Sequence, residues 1–229
     1  MTHLALAEEL LLLAYDDETG RSNTSRIALD LGLTAAVLVE LALRGRLAVV
    51  DGGVAVRDPE PTGDRVADGV LARVAADATL PAASWVQRLR HGLREAVLDA
   101  LVERGVVGVR DESALDVIVL RRYPAADPGP EAETRARLAA ALTGGTAPEE
   151  RTAALAALVA AVRMEPALGL SGAQLDAAHQ RLEEIASGAG FAGETLLEQS
   201  TVRPSVAYVL AELARAIDAA LGTRPSSSR

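Results

Sequence analysis

Alanine, leucine and valine must fill almost the whole interior of this chain. Apolar residues make up 49% of its 229 residues, but aromatic residues make up only 2%. Small aliphatic side chains suit helices that pack closely on one another, and they favour this arrangement over an aromatic-rich β-sandwich. We therefore predict a mainly α fold, a compact single-domain helical bundle with two small β-hairpins, in a chain long enough to bury a substantial core.

Local patterns divide the chain into helices and hairpins. Apolar spacing and capping residues predict helices over 3–14, 24–31, 34–43, 85–103, 131–142, 148–164, 171–187 and 204–221. Turn sequences at 51–53 and 110–113 predict hairpins over 47–56 and 106–120. Each hairpin follows a helix that ends in arginine and glycine, Arg44-Gly45 and Arg104-Gly105, which indicates a structural repeat. We expect one domain over 1–221 and a disordered tail over 222–229.

Composition and motifs limit the chemistry that is open to the chain. Cysteine is absent, which excludes disulfides and thiolate sites, and the three histidines are far apart in sequence. Phosphate-loop, dinucleotide-binding and nucleophile-elbow motifs are also absent from the sequence. We therefore predict that the chain is not an enzyme and needs no cofactor or metal. With no candidate signal peptide or membrane span, we expect a cytoplasmic location.

The segment from Thr24 to Val56 superficially resembles a winged helix that binds DNA. Its candidate recognition helix, Thr34 to Leu43, carries one acidic residue and lacks basic or amide side chains that reach base edges. The net charge of −9 also argues against coating of nucleic acid. A buried core helix explains the segment better, and we expect no nucleic-acid partner.

A basic cluster around Trp85 is the most suggestive candidate site. Arg90, His91 and Arg94 follow Trp85 within the predicted helix at spacings that make them neighbours on one face. Guanidinium groups bind phosphate through paired hydrogen bonds, and an indole ring suits a membrane interface. The alternative is a solvated helix face with the tryptophan anchored in the core.

Four sequence fragments, in this order, carry a family resemblance. They are Leu6-Ala7-Glu8-Glu9-Leu10-Leu11-Leu12-Leu13, Glu40-Leu41-Ala42-Leu43-Arg44-Gly45-Arg46-Leu47, Pro61-Thr62-Gly63-Asp64 and Leu101-Val102-Glu103-Arg104-Gly105. The chain resembles the Golgi phosphoprotein 3 family, which has bacterial members. The resemblance implies a mostly helical peripheral membrane protein that binds phosphatidylinositol 4-phosphate, acts as an adaptor for client proteins and self-associates.

The same resemblance implies where the lipid and membrane contacts lie. The arginine pair of the family's headgroup site falls on His91 and Arg94, with Arg90 beside them. Its early tryptophan and arginine fall near Ser25 and Thr34, so that Arg26 or Trp85 is left to supply these contacts. The membrane-inserting hairpin of the family falls on 106–120, and its apolar strand here contains Leu115, Val117, Ile118, Val119 and Leu120. From the residues alone, a strand that faces the core is equally compatible with this run.

Two functional hypotheses follow. The first is an adaptor that is peripheral at the inner face of the cell membrane and binds anionic phospholipid headgroups. Binding would weaken with salt, because exposed charges are screened over about 8 Å at physiological ionic strength. It would strengthen below about pH 6.5, where histidine gains a proton. The second hypothesis is a soluble protein-interaction or homo-oligomerisation module without a lipid partner.

Overall fold

A computed structural model describes residues 4–77, 79–114, 118–143 and 148–169, together with 176–178, 180, 181, 206, 208–211, 215 and 219. It confirms the mainly helical fold with two small antiparallel two-stranded sheets. The elements are α1 (Leu6–Ala14), α2 (Arg26–Leu43), β1 (Leu47–Val50), β2 (Gly53–Val56), α3 (Arg65–Ala75), α4 (Ala82–Leu89), α5 (Leu93–Glu103), β3 (Arg110–Ala114), β4 (Ile118–Arg122), α6 (Gly129–Thr143), α7 (Glu150–Ala161) and a 3₁₀ turn (Glu165–Leu168).

Helices α1 and α2 form the centre of the core. All nine residues of α1 are buried, including its two glutamates, and α1 packs against α2, α5, α6 and α7. Helix α2 packs in addition against α3 and α4. A helix enclosed by neighbours on all sides has no solvent face, which explains why its sequence is apolar almost throughout. Helix α1 was predicted to begin at residue 3, but it begins at Leu6. At this end of the helix the Glu8 side chain accepts a hydrogen bond from Ala5 N.

Helix α2 is continuous, and the prediction of two helices over 24–31 and 34–43 was wrong. Gly32, interpreted as the end of the first of them, lies within α2. A Cβ atom at this position would approach Val162 Cγ1 to 2.5 Å. The glycine therefore serves close helix packing rather than a turn, and the helix–turn–helix of the winged-helix interpretation is absent from this described segment.

The single helix predicted over 85–103 was also wrong, because the structure divides it into α4 and α5. Arg90 follows α4, and Gly92 precedes α5 with a φ of 80°. A positive φ interrupts a right-handed helix and is accessible to glycine at little cost. Arg90 and Arg94 therefore lie on either side of a bend rather than on one continuous helix face.

Both hairpins follow a helix as predicted, but the second one is shifted along the chain. β1 and β2 pair as expected, with Leu47 opposite Val56. In the second hairpin, Arg110 pairs with Arg122, so the predicted turn at 110–113 lies within strand β3. The repeated arginine–glycine junction is confirmed, since Gly45 and Gly105 both have a φ of 70°.

Between the second hairpin and residue 169, the described part of the chain contains three helical elements. The predicted helices over 131–142 and 148–164 correspond to α6 and α7, with the 3₁₀ turn after α7. Most of the predicted helices over 171–187 and 204–221 lies outside the described residues, as does the predicted tail. The positions described there are helical, and Val206, Val209 and Leu210 are buried.

Candidate functional site

Three arginines from separate places in the fold converge on one aspartate. Asp30 lies on the first half of α2, and its carboxylate is 3.8 Å from Arg26 Nε and 3.4 Å from Arg94 Nε. Arg90, at the end of α4, is close enough to favour the charged form of Asp30. We call Arg26, Asp30, Arg90 and Arg94 the Asp30 cluster. The fold therefore brings together three of the five predicted headgroup residues.

The basic side chains in and beside the cluster differ in how far they are exposed to solvent. The Arg26 side chain is 73% exposed, whereas that of Arg94 is 14% exposed. His91 is exposed at the bend between α4 and α5, and Arg90 beside it is half-buried. An anion that approaches Asp30 from solvent would therefore meet Arg26 before the more deeply buried Arg94.

The pKa values of two acidic groups in this region, Asp30 and Glu95, are shifted in opposite directions. Burial raises the pKa of Asp30, although the guanidinium groups of Arg94 and Arg26 act in the other direction. Burial also favours a higher pKa for Glu95, but hydrogen bonds from its own backbone and from Arg94 hold that pKa below its usual value. Glu95 is thus well stabilised as a carboxylate, whereas Asp30 pays a desolvation cost.

Trp85 lies in the core rather than on the surface. Its residue exposure is 1%, and its indole Nε1 has no hydrogen-bond partner among the described residues. The guanidinium of Arg88 lies 5.3 Å from the centre of the indole ring. This position matches the alternative given above, a tryptophan anchored in the core, and a part for Trp85 in headgroup binding stays a prediction.

The two early family positions flank the cluster without contributing charge. Ser25 is exposed and directly precedes α2. Thr34 is fully buried, and its hydroxyl donates a hydrogen bond of 2.9 Å to the backbone oxygen of Asp30. Thr34 therefore supports the helix at Asp30 from inside the core.

The second hairpin is tied to the region of the cluster through the loop between α1 and α2. Tyr15 packs edge-on against Tyr123, with ring centres 6.1 Å apart. Burial raises the pKa of Tyr15, and the positive charge of Arg94 opposes this shift. Arg21 of the same loop pairs at 3.2 Å with Glu112 in β3.

Exposed apolar side chains occur beside Arg26 and on or next to the second hairpin. They are Ile27 beside Arg26, Val109 before β3 and Leu120 in β4, with exposures of 51%, 51% and 36%. Ile118 and Val119 lie in β4, whereas Leu115 and Val117 lie outside the described residues.

A second charged constellation lies in the core and was missed by sequence reasoning. Three buried glutamates, Glu8, Glu9 and Glu40, are surrounded by four arginines, which are Arg44, Arg104, Arg137 and Arg151. We call these seven residues the glutamate network. Arg151 bridges Glu9 and Glu40 and also donates a hydrogen bond to the backbone oxygen of Leu4. Beside the network, a cavity of about 680 Å³ opens between α1 and α6.

Comparison with known proteins identifies the family. The model of the family described as Golgi phosphoprotein 3 (GPP34) matches residues 6–220. This chain belongs to the Golgi phosphoprotein 3 family. A curated relative, vacuolar protein sorting-associated protein 74 of Eremothecium gossypii, is 27% identical over 128 residues, which cover 45% of this chain and 39% of the relative. The chain thus matches well under half of the length of that relative.

The fragments that carry the family resemblance coincide with the glutamate network. Five members of the network lie in these fragments and come from α1, α2 and α5, counting the residue that ends each helix. They are Glu8, Glu9, Glu40, Arg44 and Arg104. Asp64 of the remaining fragment caps α3 by accepting hydrogen bonds from Val66 N and Ala67 N. The family fragments therefore specify the packing of the scaffold, whereas the Asp30 cluster lies outside them.

Asp30 itself was missed by the sequence analysis. The available signal was its position four residues after Arg26, which places the two on the same side of α2. Among the described residues, no group of three or more acidic or histidine side chains is arranged to hold a metal ion. Likewise, none of the described helices has both the length and the apolar character needed to cross a bilayer.

Proposed function

We propose that this protein is a peripheral membrane adaptor that binds anionic phospholipid headgroups at the Asp30 cluster. The observation that carries the proposal is the convergence of Arg26, Arg90 and Arg94, from α2, α4 and α5, on one surface. Guanidinium groups are suited to phosphate because they donate paired hydrogen bonds in a fixed geometry. His91 adds a further donor at the rim of the same surface.

The second hairpin provides the apolar part of the membrane contact. Leu120 and Val109 are exposed on or next to it, and Ile27 is exposed beside Arg26. Single exposed apolar residues are ordinary, but here they accompany a basic cluster. Basic and apolar side chains together are what a protein at the membrane–water interface needs. We include Leu115, Val117, Ile118 and Val119 in the proposed membrane contact, as the family resemblance implies.

The proposed activity is binding rather than catalysis. Membership of the Golgi phosphoprotein 3 family supports an adaptor role, in which one surface binds lipid and another binds client proteins. The family resemblance makes phosphatidylinositol 4-phosphate the first headgroup to test. Self-association through β3 and β4 is part of the same proposal and does not involve the residues of the Asp30 cluster.

Vesicle co-sedimentation tests the lipid-binding proposal directly. The protein is compared on phosphatidylcholine vesicles and on vesicles that also contain phosphatidylinositol 4-phosphate, phosphatidylglycerol or cardiolipin. The test variant combines Arg26→Glu with Arg90→Glu, and Arg94 is left in place because it is largely buried. Each arginine near an anionic surface contributes about 1 kcal/mol, so we expect at least about tenfold weaker binding in the variant. Binding of the unchanged protein should also weaken with added salt.

Arg57→Glu is the charge control for Arg26→Glu and Arg90→Glu made singly, because each of these three substitutions changes the net charge by the same amount. Arg57 is exposed and follows β2, and its backbone N–H bonds to Arg46, which lies beyond the opposite end of α2 from Arg26. The length of α2, 18 residues, separates the two positions by roughly 27 Å. An equal loss in the control and the single variants would contradict the assignment of the site. Failure of the unchanged protein to bind any vesicle would contradict the proposal and favour a soluble interaction module.

A further inference from the structure

The chain that leaves the second hairpin is bound to the loop between α1 and α2. Tyr123 N, directly after β4, donates a hydrogen bond of 3.2 Å to Gly20 O, and Ala125 N donates one of 3.0 Å to Asp17 O. The two segments lie very close at Gly20, where a Cβ atom would be 2.4 Å from Tyr123 N. The α1–α2 loop therefore fixes the base of the second hairpin.

Glu131, at the start of α6, lies against the same loop. It is 3% exposed, and it lines a small cavity together with Asp17. Arg135, one turn further along α6, donates two hydrogen bonds to a single oxygen of Glu131, Oε1, from its Nε atom at 2.7 Å and from its Nη2 atom. The carboxyl group of Glu131 also forms a hydrogen bond with the side chain of Asp17.

A hydrogen bond between two carboxyl groups requires that one of them carries a proton, because a carboxylate is only an acceptor. Burial and the contact with Asp17 raise the pKa of Glu131 to about 7, although Arg135 opposes the shift. Glu131 therefore carries the proton below that pH. Above it, two carboxylates face each other and repel.

The other groups around Glu131 do not relieve this repulsion. Among the described residues that line the cavity, α1 contributes Leu11 and Leu12, which are apolar. Asp16 lines it as well, and hydrogen bonds from Thr19 hold the pKa of Asp16 below its usual value. The phenol groups there belong to Tyr15 and Tyr123. Since arginine stays charged across this range, Arg135 acts on Glu131 before and after the proton is lost.

We propose that Glu131 and Asp17 form a pH-sensitive latch that fastens the α1–α2 loop, and with it the base of the second hairpin, to α6. The latch is closed while the two side chains share a proton. When that proton passes to solvent, the two carboxylates repel, and the hydrogen bonds at Tyr123 and Ala125 open more often. The latch involves neither the Asp30 cluster nor a lipid, so it does not depend on the proposed function.

Amide hydrogen exchange, measured by NMR at pH 6 and pH 8, tests the latch. Exchange rates divided by their intrinsic values give protection factors, which report how often each hydrogen bond opens. With a pKa of about 7 in the closed latch and 4.5 in the open one, protection at Tyr123 and Ala125 should fall about tenfold between these pH values. Val54 N, which bonds to Leu80 O at the first hairpin, should keep its protection. No fall at Tyr123 and Ala125, or an equal fall at Val54, would overturn the inference.

Two substitutions assign the fall to the latch. Glu131→Gln stays neutral, and its amide donates to Asp17 and accepts from Arg135, so protection at Tyr123 and Ala125 should be equal at both pH values. Asp17→Asn removes the negative neighbour at an exposed position, so the fall should shrink to less than about threefold. A tenfold fall that persists in either variant would overturn the inference.

Glu133→Gln is the matched control for these variants. Glu133 is exposed on the same helix as Glu131, and the substitution makes the same change in charge. The control should retain the tenfold fall at Tyr123 and Ala125, and its loss there would show that the charge of α6 as a whole, rather than the latch, governs the loop. Circular dichroism checks the fold of all three variants.

Discussion

The glutamate network and the Asp30 cluster use the same two residue types to opposite effect. In the network, three carboxylates meet four arginines and all six carboxylate oxygens accept hydrogen bonds. In the cluster, one carboxylate meets three arginines and one of its oxygens accepts none. The pKa of Glu40 is lowered despite its burial by the charge of Arg151 and by hydrogen bonds from Leu6 N, Arg151 and Arg44, whereas burial raises the pKa of Asp30.

Under the proposed function, the difference separates residues that stabilise the fold from residues that bind a ligand. A fully hydrogen-bonded buried ion network holds several elements in one arrangement and leaves little capacity for a ligand. An incompletely paired cluster at the surface contributes little to stability and retains its capacity to bind. Both constellations share α2, which carries Asp30 near its start and Glu40 near its end.

Matched truncations of the two acids should give the largest contrast. Glu40→Ala leaves Arg44 without its buried partner and removes one of the two glutamates that Arg151 bridges, so we expect the free energy of unfolding to fall by about 3 to 5 kcal/mol. Asp30→Ala removes a poorly paired carboxylate, and its effect should stay within about 1 kcal/mol. Urea denaturation measures both values, and losses of equal size would abolish the distinction between network and cluster.

Glu131 lies outside both constellations and shows, through pH, how a buried carboxylate with an acidic neighbour differs from those of the glutamate network. Burial and a hydrogen bond with Asp17 raise the pKa of Glu131 to about 7, although Arg135 opposes the shift. The folded state then holds a proton that the unfolded state releases near pH 4.5. Stability should therefore be highest below that pH and fall by up to about 3 kcal/mol as the pH rises through 7.

The thermal midpoint, followed from pH 5 to 8.5, measures this dependence. Glu131→Gln is neutral at every pH, so the fall assigned to Glu131 should disappear from its profile. Glu103→Gln, at an exposed ion pair with Arg65, serves as the control and should retain the fall. A variant profile that parallels that of the unchanged protein would show that another group titrates in this range.

Gly32→Ala probes the part of α2 that connects the two constellations. The added Cβ would lie 2.5 Å from Val162 Cγ1 and 3.2 Å from Leu10 Cδ2, both in the core. Alanine usually stabilises a helix relative to glycine, but overpacking here should destabilise the fold by about 1 to 3 kcal/mol. Thermal or urea denaturation decides the sign. A stabilised variant would show that α2 and its neighbours are free to move apart.

Ile27→Ser should have the smallest effect on stability and a clear effect on membrane binding. The Ile27 side chain is half-exposed beside Arg26, so its replacement should change the unfolding free energy by less than about 0.5 kcal/mol. Loss of its insertion should weaken binding to anionic vesicles severalfold. Val50→Ser is the control, since Val50 is 50% exposed at the tip of the other hairpin. Equal effects of the two substitutions on vesicle binding would remove Ile27 from the membrane contact.

The sequence predicted the features that depend on near neighbours in the chain. The hairpin of β1 and β2 follows from its Asp-Gly-Gly turn, and α7 follows from a run of helix-forming alanine and leucine. The cluster was predicted in part, because Arg90 and Arg94 are close in sequence. Asp30 and the role of Arg94 beside it were not, because they meet only when α5 packs against α2. The shift of the second hairpin shows the same limit, since its polar strand β3 has the composition of a turn.

By itself, then, the sequence determined the helical fold class, the arginine–glycine junctions before each hairpin and, through its family fragments, the family. These are local properties, fixed by side-chain periodicity and by the few residues that accept a positive φ. Tertiary structure decided that Gly32 packs against Val162, that Trp85 is buried and that Glu8, Glu9 and Glu40 are neutralised by arginines from distant segments. Such contacts join residues up to 142 positions apart, as Arg151 and Glu9 are. Their partners are set by the packing of whole helices, which no short stretch of the sequence encodes.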